Sequence, residues 1–193
     1  MTLKREDLLS LEDYSEQREK MRSDVILLKK NRLIQIGDNV SLLFENRETI
    51  QYQVQEMLRI EKIFEVQDIQ EELSAYNPLI PSGLNLKATM LIEFPEENLR
   101  RQRLKEMHLV EDKVWMQIGE SDRVFAVADE DMDRSNEEKT SAVHFLRFEF
   151  TKSMIESFKE GQSLYAGINH PKYNVRTKEV DKGTLNSLCS DFA

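Results

Sequence analysis

The sequence has little of several residue types that common functional sites require. It holds one cysteine, Cys189, and six glycines among 193 residues. A single cysteine excludes an intramolecular disulfide and a thiolate zinc site within one chain. Scarce glycine argues against a loop that cradles phosphate, and the motifs GxGxxG, GxxxxGKS/T, GxSxG and HExxH are all missing. Nucleotide triphosphate hydrolysis and dinucleotide binding are therefore disfavoured.

Long apolar runs are missing as well. No stretch approaches the 18 apolar residues of a membrane helix, and residues 1–14 lack the apolar core of a secretory signal. The net charge of −9, from 27 basic and 36 acidic residues, argues against a nucleic-acid partner, because phosphate contacts need clustered Lys and Arg. We therefore expect a cytoplasmic globular protein that has no membrane partner.

The order of the predicted elements indicates the fold class. Helical patterns cluster in the first half, whereas strands dominate the second half and follow one another as hairpin-like pairs. For example, residues 113–118 and 123–128 predict two paired strands around a turn. This order favours an α+β fold with a mainly antiparallel sheet. We expect one domain over residues 1–193, with a helical part over about 1–80 packed on a sheet-rich part over about 84–180.

The stretch 42–64 predicts the end of a strand followed by the central helix. Its apolar residues recur near the helical period, at Ile50, Val54, Met57, Leu58 and Phe64. A second line of residues follows steps of three and four, and it contains Glu45, Glu48, Tyr52, Glu56 and Arg59. Glu45 and Glu48 join this line if the helix begins that early.

The polar line on the central helix has two interpretations. It can be a solvated face with ion pairs, in which Glu48, Gln51, Gln55 and Arg59 are ordinary exterior residues. Alternatively, its carboxylates hold a divalent metal ion or share a proton, and Arg47 and Arg59 bind an anion. The helix contains no histidine, so a metal would need His144 or His170 from another element.

His144 lies on the apolar face of a predicted strand over residues 142–150, whereas Arg147 lies on the opposite face. A histidine there is either a core residue bonded to a carbonyl or carboxylate, or a metal ligand or general base. The preceding acidic run, residues 129–139, has the alternating carboxylates of a calcium loop. It lacks the required glycine and the final glutamate, so we expect a solvated loop.

The candidate pocket combines the polar line with the two residues of this strand. Its members are Glu45, Arg47, Glu48, Tyr52, Glu56, Arg59, His144 and Arg147. A divalent metal is the cofactor that these side chains would suit, with Glu45, Glu48, Glu56 and His144 as the ligands.

Four segments together resemble the bacterial family catalogued as domain of unknown function 3501. They are LFENRETIQYQVQEMLRIEKIF, QEELSAYNPLIP, ADEDMDRSNEEKTSAVHFLRF and GINHP. The resemblance covers nearly the whole chain and implies a bacterial cytoplasmic protein. It also implies a place beside rubrerythrin-like and iron–sulfur oxidoreductase proteins, in oxidative-stress or electron-transfer metabolism, with one of these redox proteins as the partner. It assigns no catalytic residue.

Three functional hypotheses follow. The first, which we favour, is an accessory or binding protein that assists a redox enzyme. The second is a small metal-dependent or acid–base enzyme, in which the carboxylates of the polar line and Tyr52 converge with His144 in one cleft. The third is a binder of a small anion or metabolite that uses Arg47, Arg59 and Arg147.

Overall fold

The computed structural model describes residues 2–130 and 139–192. Within them, the helices are α1 (Leu11–Lys30), α2 (Arg47–Glu61), α3 (Val66–Tyr76), α4 (Glu97–Glu106), α5 (Lys152–Lys159) and α6 (Lys182–Cys189). The strands are β1 (Leu33–Ile36), β2 (Val40–Glu45), β3 (Asn85–Ile92), β4 (Val114–Ile118), β5 (Val124–Phe125), β6 (Val127–Ala128), β7 (Val143–Glu149), β8 (Leu164–His170) and β9 (Tyr173–Arg176). Short 3-10 helices cover Arg5–Asp7, Asn77–Leu79 and Glu111–Lys113.

The strands form two antiparallel sheets, which confirms the predicted α+β class. One sheet has the order β1-β2-β3-β7-β6 and the other has the order β5-β4-β8-β9. Side chains from both sheets enter one buried apolar cluster, which includes Leu42, Met90 and Leu146 of the first sheet and Met116 and Ile168 of the second. Burial of this shared cluster is the main force that holds the sheets together.

The first sheet has polar side chains on its other face, where Glu45 contacts Thr49 of α2 and Lys87 contacts the carbonyl of Pro78. Along β3, Leu86, Ala88 and Met90 are buried in the shared core, whereas Lys87 and Thr89 are half-buried on the opposite face. We call this opposite face the outer face. The helices α2 and α3 form a second, smaller apolar cluster of their own.

The junction between β2 and α2 fixes where the central helix begins. Asn46 caps the helix, because its side-chain oxygen accepts from the Thr49 amide at 2.9 Å and Thr49 Oγ1 accepts from the Asn46 amide at 2.9 Å. Arg32 is fully buried and donates to the carbonyls of Phe44 and Glu45, each at 3.0 Å. Glu45 is therefore the last residue of β2, and it is not part of the helix.

Two predicted elements differ from the structure. The segment 123–128 is not one strand, because β5 pairs with β4 whereas β6 pairs with β7 in the other sheet. The chain crosses between the sheets at Ala126. The central helix ends at Glu61, since Lys62 adopts a left-handed conformation with φ of 55°. Phe64 consequently lies outside the helix and is 66% exposed, although the apolar period placed it with the buried residues.

Candidate functional site

Three strands place charged side chains side by side on the outer face. In the register of the sheet, Glu45 of β2 lies opposite Lys87 of β3, and Lys87 lies opposite Arg147 of β7. These residues line a cavity of about 250 Å³, together with Pro78, Leu79, Ala88, Glu130, Phe145 and Leu146. We call this cavity the outer-face cleft. It combines an apolar lining with a few charged groups, as small-molecule sites do.

Arg147 is engaged by two carboxylates at the cleft. Its Nε and Nη2 donate to the two oxygens of Glu130 at 2.6 and 2.7 Å, and its Nη1 donates to Glu149. This bidentate pair raises the pKa of Arg147 and lowers the pKa of Glu130. Arg147 therefore stays cationic, and Glu130 is a poor proton acceptor at neutral pH.

The other cation of the cleft is Lys87. Among the described residues, no carboxylate contacts its ammonium directly. Its ammonium donates to the carbonyl of Pro78. Burial, and secondly the nearby charge of Arg147, lower the pKa of Lys87. Glu45 instead accepts hydrogen bonds from the hydroxyl groups of Thr49 at 2.6 Å and Thr89 at 3.0 Å. A ligand that carries an acceptor group would find an ammonium with unused donors.

The inner face of the same strand holds a buried polar cluster. His144 is fully buried, and its Nδ1 lies 2.5 Å from Asp129 Oδ2. Its Nε2 lies 2.8 Å from Thr140 Oγ1, and that hydroxyl lies 2.7 Å from Glu111 Oε2. We call Glu111, Asp129, Thr140 and His144 the histidine cluster. Glu111, Asp129 and His144 each offer a metal-ligating atom within 4.8 Å of the others.

The backbone positions Asp129 for this contact. Asp129 adopts a left-handed conformation with φ of 48°, which Asp tolerates better than most residues. Its second oxygen accepts from the Phe145 amide at 2.9 Å. The prediction that the acidic run is a solvated loop is therefore wrong for Asp129, whose side chain is only 8% exposed. Residues 131–138 of that run lie outside the described residues.

The central-helix residues of the predicted pocket are used to join helices. Glu56 accepts from Arg18 at 2.7 and 2.9 Å and from the Tyr14 hydroxyl at 2.6 Å. Mainly because of Arg18, the pKa of Glu56 falls to about 2, and burial together with Glu56 raises the pKa of Tyr14. Arg59 lies 3.4 Å from Glu56. This network attaches α1 to α2, as the ion-pair interpretation expects.

The remaining helix residues also lie apart from the strand residues. Arg47 pairs with Asp7 at 2.6 Å, Glu48 is exposed, and Tyr52 is half-buried near Tyr14 and Arg18. Gln55 is not an exterior residue, because it is fully buried and accepts from the Leu9 amide at 2.6 Å.

Of the predicted pocket, the structure brings Glu45 and Arg147 to one cleft. It places His144 on the other face of the sheet, so His144 does not join the other three predicted metal ligands and Tyr52 in one site. Two of the residues around His144 carry no signal in the sequence, because Glu111 lies in the short 3-10 helix after α4 and Thr140 lies in the separate segment before β7. Lys87 could have been found from the alternation of β3.

An apolar groove lies between the N-terminal segment and the turn that joins α2 to α3. It has a volume of about 420 Å³, and its apolar lining consists of Leu8, Leu9, Leu11, Leu58, Ile63, Phe64 and Ile69. Beside it, Ile60 and Val66 are 56% and 58% exposed. Adjacent exposed apolar side chains are typical of interaction surfaces. We call this region the α2–α3 groove.

Comparisons with known proteins give one family and a similar crystal structure. The family described as "Protein of unknown function (DUF3501)" matches residues 2–192. The crystal structure of a novel protein of unknown function from Burkholderia pseudomallei K96243 is 46% identical, with a TM-score of 0.95 over 100% of both chains. No curated protein matches this chain. Across the described ranges, no helix is long and apolar enough to cross a membrane.

Proposed function

Because this chain belongs to the DUF3501 family, we propose that it is an accessory protein that binds a redox protein through the α2–α3 groove. The partner is a rubrerythrin-like or an iron–sulfur protein, as the family resemblance implies. One observation carries the proposal: Phe64 is 66% exposed at the rim of an apolar groove. Leaving an aromatic ring in water has no structural benefit, whereas aromatic anchors contribute strongly to protein interfaces.

The central helix supports a binding role rather than catalysis by its carboxylates. Glu56 is held by Arg18 and Tyr14, and its lowered pKa makes it a poor general base. Glu45 is held by two threonine hydroxyls on the outer face, away from His144. An enzyme built from these carboxylates and His144 would need them in one cleft.

The test measures binding of two purified proteins from the same bacterium, one rubrerythrin-like and one iron–sulfur, by calorimetry. We expect one of them to bind, and we expect Phe64→Ser to weaken binding by tenfold or more, since loss of an interface anchor costs about 2 kcal/mol. Leu99→Ser is the matched control, because Leu99 is an exposed apolar residue of α4. Absence of binding to both proteins, or equal weakening by both substitutions, would contradict the proposal.

A second candidate function is the binding of a small monoanionic metabolite in the outer-face cleft. Lys87 supports it, since an anionic group would compensate the partial burial of the ammonium. The carboxylates of Glu45, Glu130 and Glu149 nearby disfavour a ligand with several negative charges. Arg147 is the one of the three predicted arginines that borders this cleft, because Arg47 and Arg59 form ion pairs elsewhere.

Thermal denaturation with a panel of small monocarboxylates tests this second function. We expect at least one compound to raise the Tm of the wild type. The control variant Lys152→Met should show the same increase, because Lys152 is an exposed residue of α5. Lys87→Met should abolish the increase. If no compound raises the Tm, or if Lys87→Met responds as the wild type does, the cleft is not such a site.

A further inference from the structure

We infer that the histidine cluster binds one divalent transition-metal ion, with His144 Nε2 and the Glu111 carboxylate as its protein ligands. This site goes beyond the proposed binding function, and it lies on the opposite face of the sheet from the outer-face cleft. The inference rests on the donor atoms that converge beside Nε2, on the carboxylate that orients the ring, and on the burial of the whole cluster.

Three oxygen atoms converge beside His144 Nε2 and, with that nitrogen, offer four donor atoms to a metal. Thr140 Oγ1 lies 2.8 Å from Nε2, the carbonyl oxygen of Ser141 lies 3.1 Å from it, and Glu111 Oε2 lies 3.8 Å from it. Metal–ligand bonds of about 2.1 Å place neighbouring ligand atoms about 3 Å apart. The separations in the cluster bracket that value, so an ion fits with small side-chain movements.

Asp129 has the position of an orienting carboxylate. It contacts Nδ1, the nitrogen that faces away from Glu111, and it is itself held by the Phe145 amide. Histidine ligands of metals usually donate the other ring N–H to a carboxylate or carbonyl in this way. The contact fixes the tautomer that carries hydrogen on Nδ1 and leaves the lone pair of Nε2 for the metal.

The chemistry of the donors selects the class of metal. One imidazole nitrogen with carboxylate, hydroxyl and carbonyl oxygens suits Mn²⁺, Fe²⁺ or Zn²⁺, whereas Mg²⁺ and Ca²⁺ prefer oxygen alone. The cluster offers no thiolate, which argues against Cu⁺. The site is also shielded from water, because His144 and Thr140 are at most 1% exposed.

The primary experiment measures bound metal by mass spectrometry after purification without chelator or metal-affinity resin, followed by titration with Mn²⁺, Fe²⁺ and Zn²⁺. We expect about one ion per chain for at least one of these metals. Glu111→Gln should remove the ion. Asp129→Asn should weaken affinity by about 10 to 100-fold, because it disturbs only the orienting contact. Glu48→Gln, at an exposed carboxylate of α2, is the control and should retain the metal.

X-ray absorption of the loaded protein provides a readout that does not depend on the stability of any variant. The spectrum should show that one imidazole nitrogen and otherwise oxygen atoms bind the metal. The inference is overturned if the wild type binds none of the three metals with a Kd below about 100 μM, or if Glu111→Gln binds as the wild type does.

Discussion

The two faces of β7 use similar residue types in opposite environments. On the outer face, Arg147 forms ion pairs with Glu130 and Glu149, whose side chains are about half exposed. On the inner face, His144 is fully buried against Asp129, whose side chain is 8% exposed. The consecutive residues Asp129 and Glu130 therefore serve opposite faces of one strand.

When a polar contact on the outer face breaks, water can replace it. Water cannot replace a broken contact on the buried inner face. Solvent-exposed ion pairs contribute about 0–1 kcal/mol, because water screens the charges and solvates them when the pair breaks. A buried group that loses its partner is left unsatisfied in a low-dielectric interior, at a cost of several kcal/mol. The histidine cluster should therefore contribute strongly to the free energy of unfolding. The charged groups of the outer-face cleft should contribute little to it and can instead bind a ligand.

The largest expected effect comes from Asp129→Ala. We expect it to lower the free energy of unfolding by about 3–5 kcal/mol, because both His144 Nδ1 and the Phe145 amide lose their acceptor. Glu130→Ala, one residue later, should lower it by about 1 kcal/mol or less. Urea denaturation of the two variants measures both values, and equal losses would contradict the contrast between the faces.

An intermediate effect is expected for Glu56→Gln, at the partly buried network between α1 and α2. The folded-state pKa of Glu56, about 2, lies below its ordinary value of 4.5. The contribution of the ionised Glu56 to the free energy of unfolding is therefore complete above pH 4.5, and it is lost as the pH falls toward 2. We expect the variant to be less stable by about 1–2 kcal/mol at pH 6.

The free energies of unfolding of Glu56→Gln and the wild type should accordingly approach each other as the pH falls from about 4.5 toward 2. Glu48→Gln, at an exposed position of the same helix, should match the wild type throughout. A difference between Glu56→Gln and the wild type that does not change with pH would mean that the carboxylate charge is not what joins the helices.

The smallest effect is expected for Arg147→Met on the outer face. The free energy of unfolding should change by about 1 kcal/mol or less, since the ion pairs that it removes are partly exposed. The pKa of Lys87 should rise, because the nearby guanidinium charge is one cause of its lowering. The rise should be partial, since burial is the larger cause. NMR titration of the Lys87 side chain measures it, and an unchanged pKa would show that Arg147 does not act on Lys87.

Periodicity predicted the parts of the fold that local patterns determine. The alternation of apolar residues in β7 placed His144 inside and Arg147 outside, and the structure confirms both. Ser10 caps α1, and its Oγ accepts from the amide of Asp13, which is only three positions away. Such features depend on residues a few positions apart, which a sequence displays directly.

The candidate sites could not be predicted in the same way. Glu111 and His144 are 33 positions apart, and Asp129 follows a strand of only two residues, so no local pattern connects the three. The acidic composition of residues 129–139 suggested solvation and concealed the buried carboxylate of Asp129. The spacing of three and four left open whether the helix begins early enough to include Glu45, because such a pattern does not reveal the cap at Asn46.

The metal site that we infer lies on the inner face of β7, and the outer face should not share it. The measurement is the Tm of the wild type, Asp129→Asn and Glu130→Gln, each with a saturating concentration of whichever of Mn²⁺, Fe²⁺ and Zn²⁺ the wild type binds most tightly, and each with excess chelator. Our account predicts that metal raises the Tm of the wild type and Glu130→Gln by the same amount, and raises that of Asp129→Asn much less. An equal response of all three proteins, or no response in the wild type, would contradict it.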